Sequence, residues 1–348
     1  MDEIMKSYKT DILEAASCDL PWSLLQGKNI LITGATGLIG SCIVEILMSK
    51  KNANYVVYAS GRNIERMKCL FAEYLNKQNF QILQYDVTQP LQSNVDFHYI
   101  VSAASGANPM LYSTDPIGVM QANFMGTDNL LSYGRHHNLE KFVYISSGDV
   151  YGEGDGRIFS EDYSGYVNPL DIRASYSSSK RASETLCISY AHQYGINVSI
   201  ARPCHVYGPM FTESDSRAYA QFFRDAVAGR DIVLKSRGDQ FRSWCYVVDI
   251  ALGVLYILLK GECGNAYNIA DENSNVTIRE FAEMIAHTCG REVIFDAPSE
   301  IEARGFSKVS KSLFSTAKLS QLGWSIKGNI NEKIKRTINE LLKDKSRI

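Results

Sequence analysis

Short apolar runs alternate with longer amphipathic segments over the first part of this chain. The apolar runs are rich in valine, isoleucine and aromatic residues, and they lie at residues 29–33, 55–60, 80–83, 97–102, 141–147 and 196–202. Between them, apolar positions recur with the helical period at residues 38–50, 64–75, 115–137 and 176–194. Buried strands separated by helices indicate a parallel sheet covered on both faces. The pattern predicts a doubly wound α/β fold, whose ligands bind beyond the carboxyl ends of the strands.

The alternation of strand and helix patterns becomes irregular after Pro203, where loops lengthen and strands become isolated. The spacing of Thr277 and Glu280 is that of a capping box and predicts the start of a helix. We therefore predict three parts. Residues 1–27 form an N-terminal helical extension, and residues 28–202 form a dinucleotide-binding domain that is rejoined by about residues 245–262. Residues 203–348 form mainly a smaller α+β lobe that binds the substrate.

Composition and charge exclude several classes of function. The 348 residues are 45% hydrophobic and 21% charged, with a formal net charge of −2 and no basic block, so we expect no nucleic-acid partner. The N-terminus lacks an apolar core, and the most apolar stretch, 247–259, contains Asp249 and is too short to span a bilayer, so we expect no membrane partner. Eight scattered cysteines without a CxxC pair favour a cytoplasmic location, and no cluster has metal-ligand spacing.

A glycine-rich loop directly follows the first strand. Gly34, Gly37 and Gly40 stand between the run at 29–33 and the helix at 38–50, in the spacing of a dinucleotide-binding turn. Such glycines allow the tight turn, the approach of backbone to a pyrophosphate, and close packing of helix on sheet. The helix N-terminus then binds the phosphates. This loop makes the predicted fold Rossmann-type, and its cofactor contacts are expected at Gly34, Thr36, Gly37, Leu38, Ile39 and Gly40.

The end of the second strand usually distinguishes NAD from NADP. No acidic residue stands there to bind the ribose 2′-hydroxyl, whereas Arg62 is placed to bind a 2′-phosphate, to stack on adenine or to point into solvent. The sequence therefore predicts NAD with NADP left open. Asp86 and Val87, after the third strand, are expected at the adenine edge, with a turn cap as the alternative for Asp86. Ala103, after the fourth strand, is a further expected cofactor contact.

Tyr176 and Lys180 have the spacing that places two side chains on one face of a helix. A fixed positive charge lowers the pKa of a neighbouring phenol, so that the phenol exchanges a proton with a carbinol while the nicotinamide takes a hydride. Ser147 ends a preceding strand, where its hydroxyl would face the nicotinamide crevice. Asn123 supplies a buried polar group from the long helix at 115–137 and is expected, with Tyr176 and Lys180, to bind the cofactor. These residues predict an active site of a dehydrogenase type.

In this order the motifs resemble those of the extended short-chain dehydrogenase/reductase family, in its branch of nucleotide-sugar epimerases, dehydratases and decarboxylases. The resemblance runs from Gly27 to about Trp324 and includes Val150-Tyr151-Gly152, Arg202-Pro203 and Tyr207-Gly208-Pro209 beside the residues above. It implies Tyr176 as base and acid, Lys180 as its partner and ribose ligand, and Ser147 as a donor to the sugar oxygen.

The resemblance also implies a substrate and its ligands. The expected substrate is a nucleotide diphosphate sugar, with Arg242 matching a diphosphate-binding arginine and Arg304 as a second candidate. His205 stands where the family usually has asparagine. It either donates to a phosphate or a sugar hydroxyl, or packs without a catalytic role. The resemblance further implies a homodimer that pairs the helices at 115–137 and 176–194.

The reaction after oxidation at C4 depends on the segment Ser147-Gly148-Asp149. The 4,6-dehydratases resemble one another in carrying Thr-Asp-Glu or Thr-Ser-Glu there, and the UDP-glucuronate decarboxylases carry Thr-Ser-Glu. Asp149 thus falls at the position of the glutamate, one methylene shorter, either as an acid–base group or as a turn cap. The segment at 166–173 looks like the corresponding loop of the decarboxylases. We predict 4,6-dehydratase-like chemistry at C5 and C6. The alternatives are a 4-epimerase, a decarboxylase, a net keto-sugar reductase and a dinucleotide sensor.

Overall fold

Seven parallel strands form the central sheet of the computed structural model, which describes residues 7–297 and 309–343. In chain order the described strands are β1 (Asn29–Thr33), β2 (Val56–Gly61), β3 (Phe80–Gln84), β4 (Tyr99–Ser102), β5 (Lys141–Ile145), β6 (Val198–Pro203), β7 (His205–Tyr207), β8 (Ile232–Leu234), β9 (Phe241–Tyr246), β10 (Asn265–Ile269), β11 (Asn275–Thr277), β12 (Val293–Phe295) and β13 (Lys311–Ser312). The sheet has the order β10-β6-β5-β4-β1-β2-β3. The predicted fold class is confirmed.

The described α-helices lie on both faces of this sheet or against the strands of smaller sheets. They are α1 (Tyr8–Ala16), α2 (Leu38–Ser49), α3 (Ile64–Leu70), α4 (Pro109–Thr114), α5 (Pro116–Arg135), α6 (Ala174–Tyr194), α7 (Ala218–Val227), α8 (Val247–Lys260), α9 (Ile278–Thr288), α10 (Ala317–Ser320) and α11 (Ile330–Lys343). Of these, α7 and α9 lie against the strands of the smaller sheets. Alternate residues of each strand enter different cores, because successive side chains point to opposite faces. Ile30 and Ile32 of β1 pack with α2 and α8, whereas Leu31 packs in the core of α5 and α6.

The strand order reverses between β1 and β4. β1 pairs with β2 on one side and with β4 on the other, and Thr33 is in register with Ser60 and with Ser102. The carboxyl ends of the three strands therefore lie level. The loops that follow them diverge and leave a crevice, which is where doubly wound sheets bind their ligands.

Beyond β6 the chain builds two small sheets and then returns to the large one. β9 pairs with β7, β11 and β13, and β8 pairs with β12. Between these strands the chain forms α8, which is buried along almost its whole length, and β10, which pairs with β6. The predicted capping box at Thr277 and Glu280 is present at the start of α9. The division at 28–202, 245–262 and 203–348 stays a prediction.

The two described ends of the chain are joined by buried charges. Arg336 of α11 donates to Asp11 of α1 at 2.9 Å. One turn earlier, Lys333 lies 2.8 Å from a carboxylate oxygen of Asp249, at the start of α8, and 3.7 Å from Asp271. Because a buried charge needs a partner, these contacts hold α11 against both α1 and α8. None of the described helices combines the length and the apolar character needed to cross a bilayer.

Candidate active site

The glycine loop is packed so closely that side chains have no room at two of its positions. Gly34 has a φ of +62°, and a Cβ there would lie 2.7 Å from backbone atoms of Ala103 and Ala104. A Cβ at Gly40 would lie 2.4 Å from the carbonyl oxygen of Gly34. The end of β1 therefore approaches both the loop after β4 and the first turn of α2. This close approach explains the glycines at 34 and 40.

The N-terminus of α2 fits the diphosphate of a dinucleotide. Gly37 is its N-cap and offers no side-chain hydrogen bond, so the amides of Leu38, Ile39 and Gly40 have no capping acceptor. By contrast, Asn63 caps α3 through its side chain. Uncapped amides at the positive end of a helix form an anion site. Half-buried Thr36 completes the predicted loop.

The predicted adenine end of the crevice carries a hydrogen-bonded turn. One carboxylate oxygen of Asp86 accepts from the backbone N–H of Thr88 at 3.0 Å and from its hydroxyl at 2.9 Å. These hydrogen bonds, assisted by the charge of Arg62, lower the pKa of Asp86. Asp86 therefore stabilises this turn, as one sequence interpretation expected. Arg62 is exposed, and the carbonyl of Val87 accepts from Asn129 at 2.8 Å.

Asn123 lies in a buried network rather than open to the crevice. Its side-chain amide donates to Ser179 of α6 at 2.9 Å and accepts from Ser105 at 2.8 Å. The side chain is fully buried, and Ser179 directly precedes Lys180. Asn123 therefore fixes α6 against the loop after β4. Ala103 is on that loop, and its N–H donates to the hydroxyl of Thr33 at 3.2 Å.

Ser147, Tyr176 and Lys180 converge at the carboxyl end of β5. Lys180 is buried and its Nζ donates to the carbonyl of Ile145 at 2.7 Å. The same Nζ lies 5.7 Å from the centre of the Tyr176 ring. Tyr176 is buried, and the side chain of Ser147 is close enough to lower the pKa of its phenol. The helical spacing and the strand end predicted this convergence, although the roles of the three residues stay predictions.

The pKa of Tyr176 is shifted in the direction opposite to the one expected. Burial raises the pKa of Tyr176 and the charge of Asp149 raises it further, while the hydrogen bond to Ser147, the charge of Arg217 and the hydrogen bond to Tyr112 lower it. Burial also lowers the pKa of Lys180 to about 7. The sequence expectation of a phenol made acidic by its lysine is therefore wrong for the chain without cofactor, because burial penalises both charged forms.

Asp149 lies exposed beside these groups. Its charge raises the pKa values of Tyr176 and Tyr112, which places the carboxylate at the same end of the crevice. The turn at Gly148–Tyr151 is capped by Ser147, whose hydroxyl accepts from the Asp149 N–H at 3.1 Å. The carboxylate of Asp149 has no hydrogen-bond donor within residues 7–297 and 309–343. Among the described residues Asp149 therefore does not cap this turn through its side chain, and its part in proton transfer stays a prediction.

A cluster of arginines surrounds His205. Burial lowers the pKa of His205 to about 3, and the charges of Arg242, Arg217 and Arg173 lower it further. The ring is therefore neutral, and its Nδ1 is buried without a hydrogen-bond partner in the described part of the chain. Arg242 is buried and donates to the carbonyls of Phe241 and Val309. The second predicted arginine, Arg304, lies outside the described residues.

Sequence reasoning missed three residues of this site. Tyr112 of α4 stacks on Tyr176, with ring centres 4.7 Å apart and an interplanar angle of 18°. Arg173 precedes Tyr176 by three residues, a helical spacing that could have pointed to it. Arg217 donates from Nε to Asp215 at 2.9 Å, and its loop gives no local signal for this place. Within the described ranges, no three Cys, His, Asp or Glu side chains are grouped as metal ligands.

Sequence and structure comparisons show which known proteins this chain is similar to. The profile of the NAD dependent epimerase/dehydratase family matches residues 30–270. UDP-glucuronic acid decarboxylase 1 of Xenopus tropicalis is 31% identical over 323 residues, which cover 91% of this chain and 73% of that protein. UDP-glucuronic acid decarboxylase 3 of Arabidopsis thaliana is 33% identical over 259 residues, 74% of this chain and 73% of that protein. Among solved structures, DesIV (dTDP-glucose 4,6-dehydratase) of Streptomyces venezuelae superposes with a TM-score of 0.78 at 21% identity, covering 91% of this chain and 98% of that one.

Proposed function

Because the chain belongs to the NAD-dependent epimerase/dehydratase family, and is thereby an NAD-dependent nucleotide-sugar enzyme, we propose that it decarboxylates a nucleotide diphosphate uronic acid through a transient 4-keto sugar. The curated relatives named above are decarboxylases of UDP-glucuronic acid, and they support this choice among the reactions that the sequence left open. The 4,6-dehydration that the sequence analysis placed first becomes the second candidate.

The observation that carries the proposal is the arginine cluster. The charges of Arg242, Arg217 and Arg173 lower the pKa of His205, so positive charge is concentrated around this residue, with Arg217 also paired with Asp215. Guanidinium groups bind phosphates and carboxylates in bidentate geometry. A diphosphate and a sugar carboxylate are the kinds of anion that this concentration of positive charge would attract.

The catalytic residues have the following proposed roles. Tyr176 accepts the proton of the C4 hydroxyl at its phenolic oxygen, and Ser147 holds that oxygen by a hydrogen bond. The glycine loop would hold NAD, which would supply reversible hydride transfer at C4 and a positive charge near Tyr176. Lys180 stays fixed by the Ile145 carbonyl and positions Tyr176 and the ribose.

The C4 ketone then makes the C5–C6 bond breakable. Carbon dioxide leaves, and the electron pair of the broken bond moves through C5 to the C4 oxygen as an enolate. Asp149, directly or through water, delivers a proton to C5, and Tyr176 returns its proton to the C4 oxygen when the ketone is reduced. The exposed position of Asp149 beside Tyr176 supports this role.

The second candidate, 4,6-dehydration, draws on the same carboxylate. Asp149 would remove the C5 proton instead of supplying one, and the C6 hydroxyl would leave as water. The carboxylate without a hydrogen-bond donor among the described residues is compatible with either direction of transfer.

We also propose a homodimer in the cytoplasm. Ile117, Met120 and Phe124 share one face of α5 and are 68%, 45% and 42% exposed, and Ile188 on the adjacent α6 is 40% exposed. Apolar side chains grouped on one exposed face are typical of an interface. A second copy of this chain would cover this surface by pairing α5 and α6 with their counterparts. All eight cysteines are unpaired, which supports a reducing compartment.

The test is a substrate panel in D2O. Purified protein with NAD is incubated with UDP-glucuronic acid and with UDP-glucose, dTDP-glucose and GDP-mannose, and products are read by mass and NMR. The proposal expects loss of carbon dioxide from the uronic acid and one deuterium at C5, with no net NADH. Water loss from a neutral sugar would support the second candidate instead. An isomer of unchanged mass without solvent deuterium would mean that the enzyme is a 4-epimerase.

A further inference from the structure

Gly148 is glycine because an aromatic ring fills the space beside it. A Cβ on Gly148 would lie 2.3 Å from Cζ and 2.7 Å from Cε1 of Phe314. Gly148 is not among the glycines with positive φ, so its backbone is one that other residues adopt. The requirement for glycine is therefore spatial, and it comes from a residue far away in the chain.

Phe314 is held so firmly that its ring cannot move aside. Its side chain packs on Tyr151 and Phe159, with ring centres 5.6 Å and 5.7 Å away, and it is 2% exposed. Its backbone N–H donates to the hydroxyl of Ser243 at 3.2 Å, next to Arg242. Phe159 also pairs with the backbone on both sides of Phe314. A densely packed aromatic cluster does not accommodate an extra side chain without loss of stability.

From this geometry we infer that Phe314 is a specificity-determining residue of the proposed reaction. The side chain that would stand between Ser147 and Asp149 is replaced by a phenyl ring contributed by another segment. Asp149 is left as the carboxylate of this turn, and the space beside Gly148 is filled by a buried ring. The turn therefore offers one group for proton transfer and none at the neighbouring position.

The two candidate reactions differ in how many such groups they need. Decarboxylation expels neutral carbon dioxide, which takes no proton, and needs only one proton, delivered to C5. Dehydration removes the C5 proton and expels hydroxide from C6, and hydroxide is a poor leaving group unless a second acid protonates it. A turn with one carboxylate and a phenyl ring suits the first reaction. This inference rests on the proposed function and names the residue that restricts it.

The experiment makes room for a side chain at position 148 and places an acid there. Gly148→Asp is combined with Phe314→Ala, and the double variant is assayed with UDP-glucuronic acid and with UDP-glucose. We expect wild type to release water from UDP-glucose only slowly, and the double variant to release it at least tenfold faster than wild type. Gly148→Asp with Phe159→Ala is the matched control, since it loosens the same cluster without vacating the space at Gly148.

Measurements of melting temperature and of NAD binding distinguish a variant that is misfolded from one that is folded but unchanged in its reaction. Gly148→Asp should lower the melting temperature of the wild-type protein more than that of Phe314→Ala. In Phe314→Ala the ring that clashes with a side chain at position 148 has been removed. If the double variant does not fold, Gly148→Ser with Phe314→Leu takes its place. In that pair, turnover of the uronic acid should exceed that of Gly148→Ser alone at least fivefold.

The proposed function and this inference fail in different ways. Wild type that releases no carbon dioxide from any uronic acid contradicts the proposed function, whatever the variants do. Wild type that decarboxylates, beside a folded, NAD-binding double variant without faster water loss, overturns the inference alone. Equal water loss in the Phe159 control also overturns it, since the effect would then be general loosening.

Discussion

The pKa of Tyr176 is determined by several neighbouring groups with opposing effects. Burial and the carboxylate of Asp149 raise its pKa, while hydrogen bonds to Ser147 and Tyr112 and the charge of Arg217 lower it. In this balance burial favours the protonated phenol, and a further positive charge nearby would lower its pKa. The proposed role of Tyr176 as a base therefore depends on such a charge.

Removing the phenolic hydroxyl should stop the chemistry and spare the fold. Tyr176→Phe keeps the stacking on Tyr112 but cannot exchange a proton, so we expect kcat to fall by roughly 100-fold or more. NAD binding, followed by quenching of protein fluorescence, should be within about twofold of wild type. Tyr190→Phe, the same change on the same helix at a residue bonded to Asp128, serves as the control and should retain full kcat. Retained turnover in Tyr176→Phe would contradict the assignment.

Lys180 should give the protein a stability that depends on pH. Burial lowers its pKa from 10.5 to about 7, so between these values the unfolded chain holds a proton that the folded chain lacks. The contribution of Lys180 to the free energy of unfolding therefore rises with pH across that window, by about 1 kcal/mol per pH unit. The free energy of unfolding of Lys180→Met, relative to that of wild type, should be highest near pH 7. This difference should shrink towards pH 9.

The measurement is urea unfolding of both proteins at several pH values. The hydrogen bond to Ile145 is lost in the variant at every pH, so it changes the offset between the two curves and not their slopes. Parallel curves from pH 7 to pH 9 would mean that Lys180 is not titrating in this window.

Among the elements, the loop between β1 and α2 leaves little space for side chains at Gly34 and Gly40. Gly34→Ala should both strain a positive φ and push a methyl group into the backbone of Ala103 and Ala104. Gly195→Ala is the matched control, since Gly195 has a φ of +69° and open space around it. We expect Gly195→Ala to cost about 1 kcal/mol of stability and to bind NAD normally. Gly34→Ala should weaken NAD binding at least tenfold, as isothermal titration would measure. Equal affinities in the two variants would show that the close packing at Gly34 is not needed for the cofactor.

The same elements explain what the sequence could predict. The strands, the glycine loop and the pair Tyr176 and Lys180 were predictable, because each rests on a local period or spacing. Arg173 had such a signal, and it was overlooked. The direction of the Tyr176 pKa shift depends on burial by the whole fold, which local spacing does not report.

The positions of Phe314 and Arg217 could not be predicted from the sequence. Both reach the site from segments that follow β6 and meet it only through tertiary packing. No period in the chain relates Phe314 to Gly148, although the glycine in place of a polar residue was visible. A departure from a motif thus marked the position, and only the structure explained it.

At the scale of the whole molecule, the exposed apolar face of α5 predicts the assembly state. Ile117→Lys with Phe124→Lys places two charges in the proposed interface, and light scattering should then report a monomer where wild type is a dimer. Leu13→Lys changes an equally exposed leucine of α1 and should remain dimeric. Wild type that is monomeric at micromolar concentration, or a double variant that stays dimeric, would contradict the proposed pairing.

The last strand of the central sheet also determines when that sheet is completed during synthesis. β10 pairs with β6, yet the chain builds β7, β8, β9 and α8 before it reaches Asn265. Until residue 269 has left the ribosome, β6 is an open edge whose backbone groups can pair with another chain. A ribosome that stalls within this interval would release a product prone to aggregation, and such a nascent chain is a natural client for chaperones.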